Sequence, residues 1–147
     1  MTVRRSTRAK LAALLWHAVG VLLMAWGIRF VLRDWPRAPE TTLALVTLGL
    51  LLGSAKGLFV FQKVARKTLV RIQEQGEDGF VLKMFRPIVW LIIPLMIGLG
   101  ITLRHLADQG MIHYNLLAAI YLGVAAGMHL GALPYWRHSL RDGPAQA

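Results

Sequence analysis

The sequence predicts an all-α fold: an integral membrane bundle of four transmembrane helices, forming a single domain over residues 1–147. Three observations predict it. Apolar segments recur at about 11–32, 42–61, 88–103 and 116–136. A helix needs about 20 mostly apolar residues to cross a hydrocarbon core of about 30 Å, so four such segments leave little chain for a soluble domain. No Asp or Glu falls within any of the four, and Lys and Arg gather on one side of them. Hydrophobic residues make up 56% of the chain and charged ones 16%, a balance suited to a body that faces lipid. Lipid cannot satisfy backbone polar groups, so helices are the natural solution, and the alternating pattern of a membrane β-barrel is missing.

Each element has its own signal. Residues 1–10 carry Arg4, Arg5, Arg8 and Lys10 and read as a basic segment ahead of the first helix. That helix is too long for the apolar region of a secretory signal and is read as retained. It closes near Asp34-Trp35-Pro36, where Pro36 and Pro39 stiffen a short turn and Trp35 suits a headgroup layer. The second helix is expected over 42–71. At 1.5 Å per residue that is about 45 Å, more than a hydrocarbon core, so its last turns should extend beyond the membrane. Gly76-Glu77-Asp78-Gly79 is a break, and residues 80–85 form a short amphipathic piece for the interface. Pro87 suits the first turn of the third helix, and Pro94, inside it, predicts a kink and a hinge. Residues 142–147 read as a disordered tail.

The net charge of +10 raises nucleic-acid binding, but its distribution points to topology instead. Twelve basic residues lie in the N-terminal segment, between the second and third helices, and after the fourth. Four lie on the opposite side, Arg29, Arg33 and Arg37 around one loop and Arg104 at the other. The positive-inside rule then places both termini and the middle connection in the cytoplasm, in a multi-pass protein of a bacterial cytoplasmic (inner) membrane. Cysteine is absent, which excludes disulfides and thiolate chemistry.

Gly49, Gly53 and Gly57 in the second helix repeat the spacing of Gly123, Gly127 and Gly131 in the fourth. Residues four apart share a helix face, and glycine there lets two backbones approach closely, so these six residues are expected to pack helices together. The first and third helices also share a pattern, Leu22, Gly27 and Ile28 against Leu95, Gly100 and Ile101. The matches admit a tandem two-helix repeat, with hairpins of one orientation related about the membrane normal. A repeated hairpin surface can also pair with itself in a homodimer.

Lys56 is the one basic residue well inside a segment. By helical phase it falls within about 20° of Gly49, on the packed stripe. It either snorkels toward headgroups or serves as an anion site. Lys63, Lys67 and Arg71 are expected to continue its face, with Arg66 beside them, as an anion-binding or lipid-headgroup-binding surface. His17 and His129 sit at similar depth and could ligate haem, or simply hydrogen-bond within the bundle. His105 and His113 alone are a weak metal signal, so no metal site is assigned. No nucleophile–base pair, phosphate-binding glycine loop or paired carboxylates occur, so the expectation is no enzyme and no cofactor.

The run Gly53-Ser54-Ala55-Lys56-Gly57, then Phe59-Val60, Lys63, Ala65-Arg66 and Arg71-Ile72, resembles a motif of small uncharacterised bacterial four-helix integral membrane proteins. They carry a Lys-Gly pair near the end of the second helix and spaced basic residues after it. A glycine-rich third helix ending in Arg104 is also similar. The resemblance implies architecture and no activity. Small multidrug-resistance transporters share the helix count, but the membrane glutamate they need is missing.

The function these features favour is a non-enzymatic membrane component, an accessory, assembly or self-associating scaffold subunit. Its partners would be anionic lipids and another membrane protein or a second copy. The alternative is a small homo-oligomeric transporter or channel for an anionic solute that uses Lys56. A haem-binding electron carrier is the weaker one.

Overall fold

The computed structural model describes residues 2–3, 5–74, 79–80 and 87–141, with side-chain surroundings for 7–74 and 97–138. Four helices account for nearly all of them. They are α1 (Arg5–Asp34), α2 (Pro39–Glu74), α3 (Pro87–Asp108) and α4 (Tyr114–Arg141). Spans Thr7–Asp34, Pro39–Glu74 and Tyr114–His138 are each long and apolar enough to cross a membrane. The chain is a helical protein of multi-pass membrane type. For α3, residues 87–96 have side chains outside the described set, as do the expected kink and hinge at Pro94. The break at 76–78, most of the amphipathic piece at 80–85 and the tail at 142–147 also lie outside the described residues.

Several boundaries differ from expectation. Residues 5–10 are not a free basic segment but the first turns of α1. α3 continues five residues past 103, to Asp108, and α4 runs to Arg141. Gly110 explains the end of α3. It takes φ 75°, its N–H donates to Ala107 O at 3.0 Å, and the Met111 N–H donates to Leu106 O at 2.9 Å. This left-handed cap satisfies carbonyls that a helix terminus otherwise leaves orphaned.

α4 is the organising element. It packs along α1 on one side and along α2 on the other, while α1 and α2 touch each other little. One cluster of buried residues lies at the basic end: Ala12, Ala13, Ala65, Ile72 and Tyr135, flanked by Trp16, Leu69 and Trp136. A second lies at the opposite end and joins Phe30, Ala107, Leu117, Ala118 and Tyr121. A two-residue antiparallel ladder, Thr2–Val3 with Gly79–Phe80, ties the start of the chain to the connection after α2. Over the described residues α3 meets α1 and α4 near its Asp108 end, whereas α1 packs along the length of α4.

The Asp34 carboxylate joins the end of α1 to the start of α4. It is nearly buried and accepts the Asn115 backbone N–H at 2.9 Å. The first N–H groups of a helix have no partner within it, and a negative charge there also suits the helix dipole.

Candidate functional site

The glycine stripes form the contact between α2 and α4. A Cβ added at Gly49 would strike the Ala119 carbonyl, and one added at Gly53 would strike that of Gly123. At Gly57 it would lie 2.8 Å from the Gly127 Cα. Gly131 faces Phe61 and Trp16 instead, with an added Cβ at 2.7 Å from the Phe61 Cβ. α1 contributes two further close approaches that the sequence reading did not use for packing. Gly27 lies under Leu122, and Gly20 lies against the His129 ring.

Between Gly57 and Phe61 α2 opens into one wide π turn, in which the Gln62 N–H donates to Gly57 O. Residues four apart drift by about 40° around a helix, so the contact face at Gly57 has turned about 80° from that at Gly49. The wide turn rotates the chain against this drift, and Ala65, Thr68 and Ile72 continue the buried side. Phe61 sits in the turn and meets Trp16 edge to face at 5.6 Å.

The same geometry corrects two expectations about Lys56. It is exposed rather than part of the packed stripe. It aligns with Gly49, but the contact has rotated about 100° away by the neighbouring Gly57. Nor do Lys63, Lys67 and Arg71 continue its face. Seven residues of regular helix would align Lys56 with Lys63, but the extra residue of the wide turn swings them apart by about 100°. Lys63, Arg66 and Lys67 are exposed, and Arg71 is half-buried. Arg66 lines a cleft of about 230 Å³ shared with Gln62, Leu69, Leu133, Pro134, Arg137 and His138.

Pro134 explains the polar side of that cleft. It lies inside α4 and has no N–H, so the carbonyl of Leu130 loses its helical donor. Gln62 reaches across from α2, and its Nε2 donates to Leu130 O at 3.4 Å. The sequence held this signal, a proline inside an apolar segment, but the reading of hinges stopped at Pro94.

His17 and His129 meet in the half of the bundle nearer the basic end. Their Nδ1 atoms are 2.7 Å apart, and the rings stack at 5.0 Å and 27°. The Trp136 Nε1–H donates to His17 Nε2 at 2.9 Å. An indole N–H only donates, so His17 Nε2 carries a lone pair and its proton is on Nδ1. His17 then donates to His129 Nδ1, and the proton of His129 is on Nε2. That atom is buried and has no hydrogen-bond partner among the described residues. Two imidazoles joined in this way do not stand on opposite faces of a porphyrin. The described residues hold no group of three or more His, Cys, Asp or Glu placed to share a metal ion. His105 lies within α3 and its Nε2 is 2.9 Å from the Gln109 Nε2.

At the end away from the basic cluster, α1, α3 and the start of α4 border a half-open cavity of about 400 Å³. Trp26, Arg29, Phe30, Arg33, Ile101, Arg104, His105, Asp108 and Tyr114 line it. Arg29 and Arg33 are not loop residues, as the sequence suggested, but lie one turn apart on α1. The Arg104 guanidinium lies 4.6 Å from the Trp26 ring centre and that of Arg29 5.4 Å. Arg33 lies 4.0 Å over Tyr114 and 3.5 Å from Asp108, whose Oδ1 also accepts the Tyr114 hydroxyl at 2.5 Å. The Arg104 Nε–H donates to Gly100 O at 3.1 Å, which holds the stem of that side chain against α3.

No protein-family model, curated protein or solved structure matches this chain.

Proposed function

We propose that the chain is a non-enzymatic accessory or self-associating scaffold subunit of a bacterial cytoplasmic membrane, with both termini and the α2–α3 connection in the cytoplasm. One observation carries the reading. α2 spends its glycine face on α4 and leaves a long outward face uncovered, including Leu43, Leu48, Leu51, Leu52, Leu58, Phe59 and Val60. Beyond it Lys63, Arg66 and Lys67 project from a helix whose other side is anchored by Ala65, Thr68 and Ile72. An apolar membrane face that ends in fixed cations fits a second membrane subunit whose cytoplasmic edge is acidic, with anionic lipid filling the margin.

The test is native mass spectrometry of the protein taken gently from its own membranes. Masses that include other protein subunits support the accessory role. Their loss in Leu51→Trp or Phe59→Trp assigns the contact to the outward face of α2. Gly53 is unsuited to this purpose, because it lies inside the subunit and its enlargement reports on folding. A protein that stays monomeric in native lipid overturns the reading. A homo-oligomer holding only lipid fits both the self-associating scaffold and the anionic-solute transporter, and of these only the transporter would carry flux. Lys56 lies exposed on α2, and only a neighbouring copy could enclose it. Flux in liposomes that Lys56→Ala abolishes would then be expected.

A further inference from the structure

We infer that the cavity between α1 and α3 at the end opposite the basic termini is a binding site for a phosphate-bearing anion, held by Arg29, Arg33 and Arg104. The inference is independent of the scaffold reading, which concerns α2.

Charge is the first argument. Three guanidiniums line the cavity against one carboxylate, Asp108. Asp108 is already engaged by Tyr114 and Arg33, and the nearby Asp34 is turned to the Asn115 N–H. The cavity therefore keeps an excess of about two positive charges. Guanidinium forks match tetrahedral oxyanions, and several forks on one group exceed what a lone carboxylate can use.

Preorganisation is the second. Trp26 underlies both Arg29 and Arg104, Tyr114 underlies Arg33, and Gly100 O holds the Arg104 stem. The cations come from α1 and α3, not from a loose loop. Binding then sacrifices less side-chain freedom than it would with free surface arginines.

Size and depth are the third. A volume of about 400 Å³ falls within the range of small-molecule sites and admits a glycerophosphate-sized group rather than a bare halide. Arg29 lies five residues before the end of the Thr7–Asp34 span, about 7 Å along the axis. Headgroup layers are about 5–7 Å thick on each face of a bilayer, so if the span ends at the outer edge of that layer, Arg29 lies at its base and Arg33 within it. Ile101 and Phe30 supply an apolar wall on which a glycerol backbone can rest.

The experiment uses the full-length protein in two arms. In the first, the protein is released from nanodiscs containing phosphatidylglycerol and phosphatidylcholine, and retained lipid is counted by native mass spectrometry. In the second, lipid-stripped protein in a non-ionic detergent is titrated with inorganic phosphate and with glycerol 3-phosphate by calorimetry. Arg29→Gln combined with Arg104→Gln is expected to reduce retention or affinity at least tenfold. Arg37→Gln changes the net charge at the same end but lies outside the cavity lining, and is expected to leave both unchanged. Arg29→Lys with Arg104→Lys keeps the charge without the forks and is expected to fall between, with a melting temperature near that of the parent. Binding in the lipid arm alone assigns the anion to a headgroup, and binding of the soluble probes assigns it to a free phosphate ester. The inference is overturned if the parent binds in neither arm, if the double Gln variant binds like the parent, or if Arg37→Gln weakens binding equally.

Discussion

Enlarging Gly53 by a single methyl group should destabilise the bundle more than any other alanine substitution in the α2–α4 seam. The added carbon would meet the Gly123 carbonyl, which is backbone in the middle of a helix and cannot rotate away. At Gly57 the equivalent carbon would lie 2.8 Å from the Gly127 Cα, about 0.7 Å inside an ordinary carbon–carbon contact of about 3.5 Å. The overlap at Gly53 is larger, so α2 and α4 must separate along the seam and lose dispersion contacts at Gly49 and Gly57 as well. Overpacking a close contact costs about 1–3 kcal/mol, and rigid backbone on both sides puts Gly53→Ala at about 3 and Gly57→Ala at about 1–2. Gly98 is the internal control, because a Cβ there meets nothing within 4 Å. Gly98→Ala should gain about 0.5–1 kcal/mol from backbone entropy alone. The assay is reversible unfolding in mixed micelles by SDS titration, followed by tryptophan fluorescence. A Gly53→Ala protein as stable as the parent would refute the packing argument, as would equal losses at Gly53 and Gly98.

Three further outcomes are expected. Gln62→Ala should cost about 1 kcal/mol by freeing the Leu130 carbonyl, and almost nothing in a Pro134→Ala background, where position 134 supplies a helical N–H; a double-mutant cycle in the same SDS assay measures that coupling. Nitrogen-15 NMR of selectively labelled histidine should find the Nδ1–H tautomer at His17 and the Nε2–H tautomer at His129, and Trp136→Phe should remove the His17 preference. Asp34→Ala should cost about 1.5–3 kcal/mol, the worth of a charged partner for a buried N–H, whereas Ala at the exposed Glu40 should change stability by less than about 0.5; thermal unfolding of the two variants decides this, and equal effects would rule out the cross-helix cap.

What was legible in the sequence was whatever depends on local spacing. Gly49, Gly53 and Gly57 show their stripe because residues four apart share a face regardless of the partner. The apolar lengths of three spans are visible for the same reason. His17 and His129 could be set at one depth by counting residues, and both outcomes, a ligand pair or a hydrogen bond, were open at that stage. The structure shows the hydrogen bond, and with it the donor Trp136, a residue 119 positions from His17 in the chain. The wide turn after Lys56 was hidden, because one inserted residue in a turn leaves no mark in composition. It alone separates Lys56 from Lys63 and dissolves the continuous basic face. The arginine cavity was half visible. Arg29 and Arg33 stand four apart on α1, but Arg104 joins them only through the packing of Ala107 beside Phe30 and Leu117, which no periodicity reports.

The arrangement also says which interactions must hold the bundle together. Lipid tails are as apolar as leucine, so burying Leu against Leu gives little preference for a neighbouring helix over lipid. Many of the large aliphatic side chains on α1 and α2 are accordingly turned outward, while the seams are built from Gly, Ala and a few polar links. Three of those links join α4 to its neighbours at two levels. Asn115 takes the Asp34 carboxylate at one end, His129 takes His17 at mid-depth, and Leu130 takes Gln62 one residue later on the side of α2. Each replaces a contact that lipid cannot offer, so each specifies a neighbour where apolar packing cannot. Apart from the Trp16–Phe61 pair and the cluster at the basic end, α1 and α2 make few contacts with each other, so among the described residues α4 carries most of the coupling between them. A substitution that loosens α4 from α1 should therefore leave the glycine seam intact, and the reverse should hold for Gly53. The two sides can be separated by disulfide trapping of engineered cysteine pairs, one across α1–α4 and one across α2–α4, in a chain that has no cysteine of its own. Loss of both crosslinks in Gly53→Ala would mean that the helices assemble as one cooperative unit rather than as two seams on a common axis.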